Sequence, residues 1–255
     1  MYWNRPLLKE NAKKVLAGSY WRVFVVCLVA SLLGGNSDLS SKFSGFLSGI
    51  NSSLSFGSFG ADVSSILLVG SIVLLVGAAG IAFSLFISIP VLIGTNRYMM
   101  ENRSGFPPFS SLFSVFNDKQ QYLNVVKVMF QYSLEIFLWS LLCFIPGIYK
   151  SYQYYYVPYL LAENPYMSYS RAKQLSIAMT NDEKIEIWVL EISFFGWLVL
   201  GSLACGLGVF FVVPYMNATF AELYAAARAK AFALGVTDET ELAGFTQYDS
   251  GNSFI

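Results

Sequence analysis

The chain has 255 residues, of which 55% are hydrophobic and 13% charged, whereas an ordinary soluble domain carries roughly 25% charged residues. That deficit points to lipid as the solvent. Sixteen basic and 16 acidic side chains cancel, so nothing points to a nucleic-acid partner held by a phosphate-neutralising surface. With no histidine, the commonest general base and metal ligand are gone, and so are Ser-His and Cys-His nucleophiles.

Cys27, Cys143 and Cys205 are odd in number and each sits in an apolar run. They read as buried, inert thiols and not as a disulfide framework or zinc site.

From Arg5 the chain combines Lys9, Lys13 and Lys14 with Leu7, Leu8, Ala12, Val15 and Leu16, predicting a basic amphipathic helix near 5–20 that leads into the apolar run Val23 to Leu33. The basic region is long and no A-x-A cleavage site follows, so span one is expected to be an uncleaved anchor. Asn36 to Ser64 is rich in Ser and Gly and reads as an external loop, within which Asn51, Ser52 and Ser53 fit a glycosylation sequon. Ile66 to Gly94 is continuously apolar for longer than the roughly 20 residues a bilayer requires and forms span two. A short interfacial helix is expected near 107–118, with Phe109, Leu112, Phe113 and Phe116 opposite Ser110, Ser111 and Ser114.

Span three covers Tyr122 to Ile145 and carries Lys127, Gln131 and Glu135 at intervals of four, a polar ladder on one helical face that must meet protein or water. Pro146 and Gly147 then break the helix, and Ile148 to Glu163 returns as span four, about 24 Å long against a hydrocarbon core of about 30 Å. Asn164 and Pro165 read as the cap and first turn of a surface helix near 165–180 that displays Arg171 and Lys173. Spans five and six are Ile187 to Ala204 and Val209 to Ala227, joined by a turn from Cys205 to Gly208. The single transmembrane domain thus occupies 1–230, and 231–255, with Asp238, Glu239, Glu241 and Asp249, reads as a solvated acidic cytoplasmic tail.

Charge fixes the orientation. With six spans in three hairpins and both termini cytoplasmic, every Lys and Arg except Lys42 and Lys150 lies on the inner side. If span four failed to cross, Arg171, Lys173, Lys184, Arg228 and Lys230 would move outside, so the positive-inside rule favours six. The predicted fold is all-α: a polytopic membrane helical bundle in the cell membrane.

Each return helix contains a proline followed four residues later by a small residue: Pro90 and Gly94, Pro158 and Ala162, Pro214 and Ala218. An approximate repeat of three hairpins accounts for this, the small residues allowing close helix approach. Each proline frees the carbonyl four residues before it, at Phe86, Tyr154 and Phe210. The functional reading is a polar cavity in the inner half of the bundle, with Lys127, Gln131, Glu135, Tyr154, Glu191 and Asn217 as candidate lining. The structural reading is three tolerated kinks, with Lys127 pairing Glu135 and Lys184 pairing Glu191. Glu222, near the inner end of span six, is placed to meet a basic residue, and Tyr152, Tyr154, Tyr155 and Tyr156 read as a packing and interface belt.

The chain resembles domain-of-unknown-function family 975, integral membrane proteins of Gram-positive bacteria. The resemblance runs along nearly the whole chain through Leu138 to Leu142, Pro146 to Ile148, Lys150 to Tyr152, Glu163 to Pro165, Ser176 with Met179, Ser193 to Trp197, Gly206 to Gly208, and Pro214 with Tyr215. It departs at Thr180 to Lys184, where the family usually has a glycine. More distantly it is similar to the membrane portion of some glycerophosphodiester phosphodiesterases.

The resemblance implies fold and compartment and no established activity. A non-enzymatic scaffold or transport accessory that binds membrane lipids or another membrane protein leads. A small-solute or lipid transporter using the inner cavity is the alternative, and an intramembrane enzyme comes third because no nucleophile-base pair, metal cluster or phosphate loop is visible. No cofactor is implied.

Overall fold

A computed structural model describes residues 3–35, 63–142, 144–203, 207–242 and 244. The Ser/Gly-rich loop with its sequon, Cys143, Cys205 and Asp249 lie outside them. All regular elements among the described residues are helical: α1 (Arg5–Leu32), α2 (Val63–Phe83), α3 (Ile89–Glu101), a 3-10 segment (Phe109–Phe116), α4 (Lys119–Leu142), α5 (Phe144–Gln153), α6 (Val157–Glu163), α7 (Tyr169–Thr180), α8 (Lys184–Leu203) and α9 (Leu207–Ala233).

Among the described residues, four stretches are long and apolar enough to cross a membrane: Arg5–Leu32, Gly70–Glu101, Lys119–Leu142 and Gly208–Ala233. The basic amphipathic segment near 5–20 is therefore not a separate interfacial helix but the first half of one 28-residue helix. In α8, Ile185, Trp188, Ile192, Phe195, Val199 and Leu203 are exposed and recur every three or four residues, forming an apolar stripe that no other described helix covers.

α9 is central and packs against α1, α3, α7 and α8. Its inner face is alanine-rich, with Ala221, Ala226, Ala227 and Ala231 buried, so neighbouring helices lie close without large side chains between them. The same device joins α8 to α9: a Cβ on Gly201 would lie 2.8 Å from the Gly208 carbonyl carbon.

Span two contains a turn of π-helix at Ser84–Ser88, immediately before Pro90. Pro90 has no N–H to return to Phe86, and the Tyr122 hydroxyl donates to the Phe86 carbonyl instead at 3.0 Å. Four residues on, the missing side chain of Gly94 admits the 3-10 segment: a Cβ there would stand 1.8 Å from the Leu112 carbonyl oxygen. The 3-10 segment replaces the amphipathic helix expected near 107–118 and buries Leu112 and Val115, leaving Phe109, Phe113 and Phe116 exposed.

The expected fourth span is divided. α5 begins before Pro146 and Gly147, so these two residues open a helix instead of separating two, as a proline in a first turn permits. Gly147 is needed for contact: a Cβ there would lie 2.8 Å from the Ser140 Cα of α4. The helix then stops at Gln153, where α7 supplies replacement partners. The Ser176 hydroxyl donates to the Gln153 carbonyl and accepts from the Tyr156 N–H, each at 3.1 Å, and Thr180 Oγ1 also reaches the Gln153 carbonyl. Pro158 opens α6 and kinks nothing, and the Tyr154 carbonyl accepts from the Val157 N–H at 3.1 Å. Of the three prolines singled out, Pro90 and Pro214 lie within a continuous helix, Pro90 just after the π-helical turn, and only Pro158 opens one.

α7 starts four residues later than Pro165, capped by Ser168, whose hydroxyl accepts from the Arg171 N–H. Asn164 ends α6 instead: its side chain accepts from the Tyr166 N–H and donates to the Glu241 carbonyl. The chain beyond Lys230 also departs from expectation. α9 runs on to Ala233, and the residues after it fold back, with Leu242 fully buried and Glu241 bonded to Arg171 through two contacts of 2.7 Å.

Candidate functional site

The six candidate cavity residues do not share one cavity. Lys127 and Gln131 are exposed on α4, whereas Glu135, from the same ladder, turns into protein. Its carboxylate accepts from Lys173 Nζ at 2.6 and 2.9 Å, from the Tyr154 hydroxyl at 2.8 Å and from the Tyr169 hydroxyl. Lys173 Nζ lies 5.0 Å above the Tyr154 ring. Desolvation is the largest single influence on the Lys173 amine and favours its neutral form, but Glu135 and Tyr154 together outweigh it and raise the amine above its ordinary value.

Glu191 accepts from the Tyr152 hydroxyl on α5, so its described partner is a tyrosine and not Lys184, which sits over the Tyr149 ring. Asn217 lies apart from both acids, its amide 3.6 Å from the Cys27 sulfur at the α1–α9 contact. The Tyr belt is internal: Tyr154 and Tyr156 are fully buried, Tyr155 packs edge-on against Phe220, and Tyr159 stacks on Tyr224. The structure thus brings together Tyr154 and Glu135 and disperses the rest. Two of the freed carbonyls, at Phe86 and Tyr154, are occupied by protein donors, which removes the polar girdle they were expected to form.

A second group of acids ties the helix ends. Glu163, its side chain fully buried, accepts from Arg228 Nε at 2.9 Å, from the Tyr224 hydroxyl at 2.6 Å and from the Gly244 N–H at 3.2 Å. Glu222 meets Arg103 at 2.7 Å, as its position predicted. Glu183 takes the Trp3 indole N–H at 2.8 Å and Lys230 at 3.2 Å. Arg171 and Lys173, expected on display, are both bound, to Glu241 and Glu135. In an apolar surrounding each of these charges requires such a partner, and each pair joins segments distant in sequence.

The remaining feature was not singled out as a site from sequence. A groove of about 810 Å³ runs between α1, α8 and α9 and is lined by Arg5, Lys9, Glu10, Lys13, Ser193 and Tyr215. The three cations are spaced by four and so share one face of α1, a signal present in the sequence. Their companions on α8 and α9 could be found only after folding. Lys9 Nζ donates to Ser193 Oγ at 2.8 Å and lies 4.7 Å from the Phe194 ring centre, and Lys13 Nζ lies over the Tyr215 ring. Among the described residues, no three His, Cys, Asp or Glu side chains converge to hold a metal ion.

The family described as "Protein of unknown function (DUF975)" matches residues 50–231, from before α2 to the last turns of α9. The chain belongs to this family. Neither a curated protein nor a solved structure matches it. The DUF975 match is shorter than the near-complete resemblance read from the sequence, because α1 precedes it. Two walls of the groove thus come from the DUF975 region and the third, with all three cations, from outside it.

Proposed function

We propose that this DUF975 protein is a non-enzymatic, multi-pass protein of the cell membrane that binds membrane lipid as a scaffold or transport accessory. The observation that carries this reading is the use to which its buried charges are put. Glu135, Glu163, Glu183 and Glu222 each bind a cation of the same chain and pin helices together. Such fixed pairs suit a framework that presents its outer surface, including the bare apolar stripe of α8, to lipid.

Six crossings with both termini cytoplasmic remain our reading of the topology. The positive-inside count supports it, as does the binding of Arg103, Arg228 and Lys230 to acids at neighbouring helix ends. The divided stretch Phe144 to Glu163 then forms the fourth crossing, and the Gram-positive setting rests on the family resemblance alone. Ser170 is exposed at the start of α7 and reports the topology. A cysteine placed there should resist an impermeant thiol reagent in intact cells, and labelling would refute the orientation. Mass spectrometry of the protein released intact from detergent should show retained lipid. A protein that comes away bare from several mild detergents would refute the lipid-binding role.

A further inference from the structure

We infer that the groove between α1, α8 and α9 holds the phosphate of an anionic phospholipid, an assignment that rests on the lipid-binding reading and gives it a place. Where basic side chains tie helix ends together they are neutralised: Arg103, Arg171, Lys173, Arg228 and Lys230 all meet carboxylates within 3.2 Å. Three cations and one acid, Glu10, line the groove, and a second acid, Glu186, meets it from α8. Arg5 pairs with Glu186 at 3.2 Å, and Glu10 is taken by Lys14 at 2.9 Å. Among the described residues, neither Lys9 nor Lys13 forms an ion pair.

Lys9 is half-buried and its bond goes to the neutral Ser193 hydroxyl, which itself donates to the Leu190 carbonyl. An ammonium has three donors, so Lys9 keeps two for a ligand while Ser193 and the Phe194 ring hold its position. α1 and α8 advance together here, since Arg5 meets Glu186 and Lys9 meets Ser193. One turn further along lie Lys13 and Gly196, and a Cβ on Gly196 would find nothing within 4 Å. Ser193, Phe194 and Gly196 belong to the motif that the family resemblance singled out without a role.

The neighbouring surface favours a lipid over a soluble anion. Trp197 and Leu200 follow Ser193 on the same face of α8, one and two turns further along, and are 60% and 61% exposed, an apolar wall on which acyl chains would lie while the phosphate sits among the lysines. A free phosphate would use the cations and leave that wall empty.

The test uses the full chain in detergent, with dioleoylphosphatidylglycerol and dioleoylphosphatidylcholine as probes and native mass spectrometry as readout. Wild type should retain phosphatidylglycerol in preference to phosphatidylcholine. The double substitution Lys9→Gln and Lys13→Gln should reduce that preference roughly tenfold. Lys119→Gln with Lys127→Gln, the same loss of two charges on exposed positions of α4 outside the groove, should leave it intact, and Lys9→Arg with Lys13→Arg should preserve most of it. Millimolar inorganic phosphate that fails to displace the lipid supports the phospholipid, whereas displacement identifies free phosphate as the source and overturns the lipid assignment. If the glutamine variant, still monodisperse, keeps the wild-type preference, the groove is overturned while lipid binding stands. If wild type shows no preference, the groove assignment falls as well.

Discussion

The Arg228 guanidinium lies 2.9 Å from the Glu163 carboxylate, and that carboxylate has no exposed surface. The pair joins the end of α9 to the end of α6, and Arg228 also donates to the Leu242 carbonyl, so one cation holds two helices and the returning chain. Removing only one partner strands a buried charge. Arg228→Ala is expected to destabilise the bundle by about 3–5 kcal/mol, whereas replacing both Arg228 and Glu163 by methionine should cost distinctly less. Denaturant unfolding in mixed micelles would distinguish the two, and equal losses would show that Glu163 does not need its counter-charge.

Gly94 admits the Leu112 backbone to a place where a methyl group would overlap it. The obstacle is backbone and not a flexible side-chain end. Gly94→Ala should therefore push the 3-10 segment from α3 at a cost of about 1–3 kcal/mol. Faster hydrogen exchange through Phe109–Phe116 is the expected signature. Gly70, where a Cβ would meet nothing within 4 Å, is the control and should tolerate alanine.

Arg171 grips Glu241, and this bond holds the Glu241 carboxyl below its ordinary value of 4.5. A folded value below the unfolded one means that the contact stabilises fully above pH 4.5 and is lost as pH falls through the folded value. Wild type should therefore melt higher than Glu241→Gln near neutrality, with the gap closing as the solution is acidified below 4.5. A gap independent of pH would rule out the ion pair as its source.

Asp182 occupies the turn between α7 and α8 with φ +62°, a backbone conformation glycine adopts freely and L residues adopt at a cost. This lies within the stretch where the sequence departs from the glycine usual in the family. Asp182→Gly should stabilise the protein by roughly 0.5–1 kcal/mol, partly offset by loss of the bond from Asn181. Thermal unfolding in detergent would show the gain, and a lower midpoint would mean that the Asn181 contact outweighs the strain.

Some of this was visible in the residues themselves. The apolar runs announced the long helices because a helix in lipid must satisfy its own backbone and cover itself with apolar side chains. Tyr154 with Glu135 and Glu222 with a basic partner were legible because a charge in such a run demands a neighbour. Lys127 and Gln131 misled, since a spacing of four fixes a shared helix face and not what covers it. The stop at Gln153 was hidden as well, because the hydroxyls that satisfy its backbone belong to Ser176 and Thr180 on another helix.

The sequence by itself determined the solvent, the helical class and the family, all of which depend on local composition and on motifs read along the chain. Only the tertiary structure decided which acid meets which base, that the stretch from Phe144 to Glu163 divides at Gln153 and that Glu241 and Leu242 return to the bundle. The groove belongs to that second group. The four-residue spacing of Arg5, Lys9 and Lys13 set their common face, but Ser193 and Tyr215 lie about 180 and 200 residues further along the chain, and only the packing of α1 against α9 beside α8 brings them together.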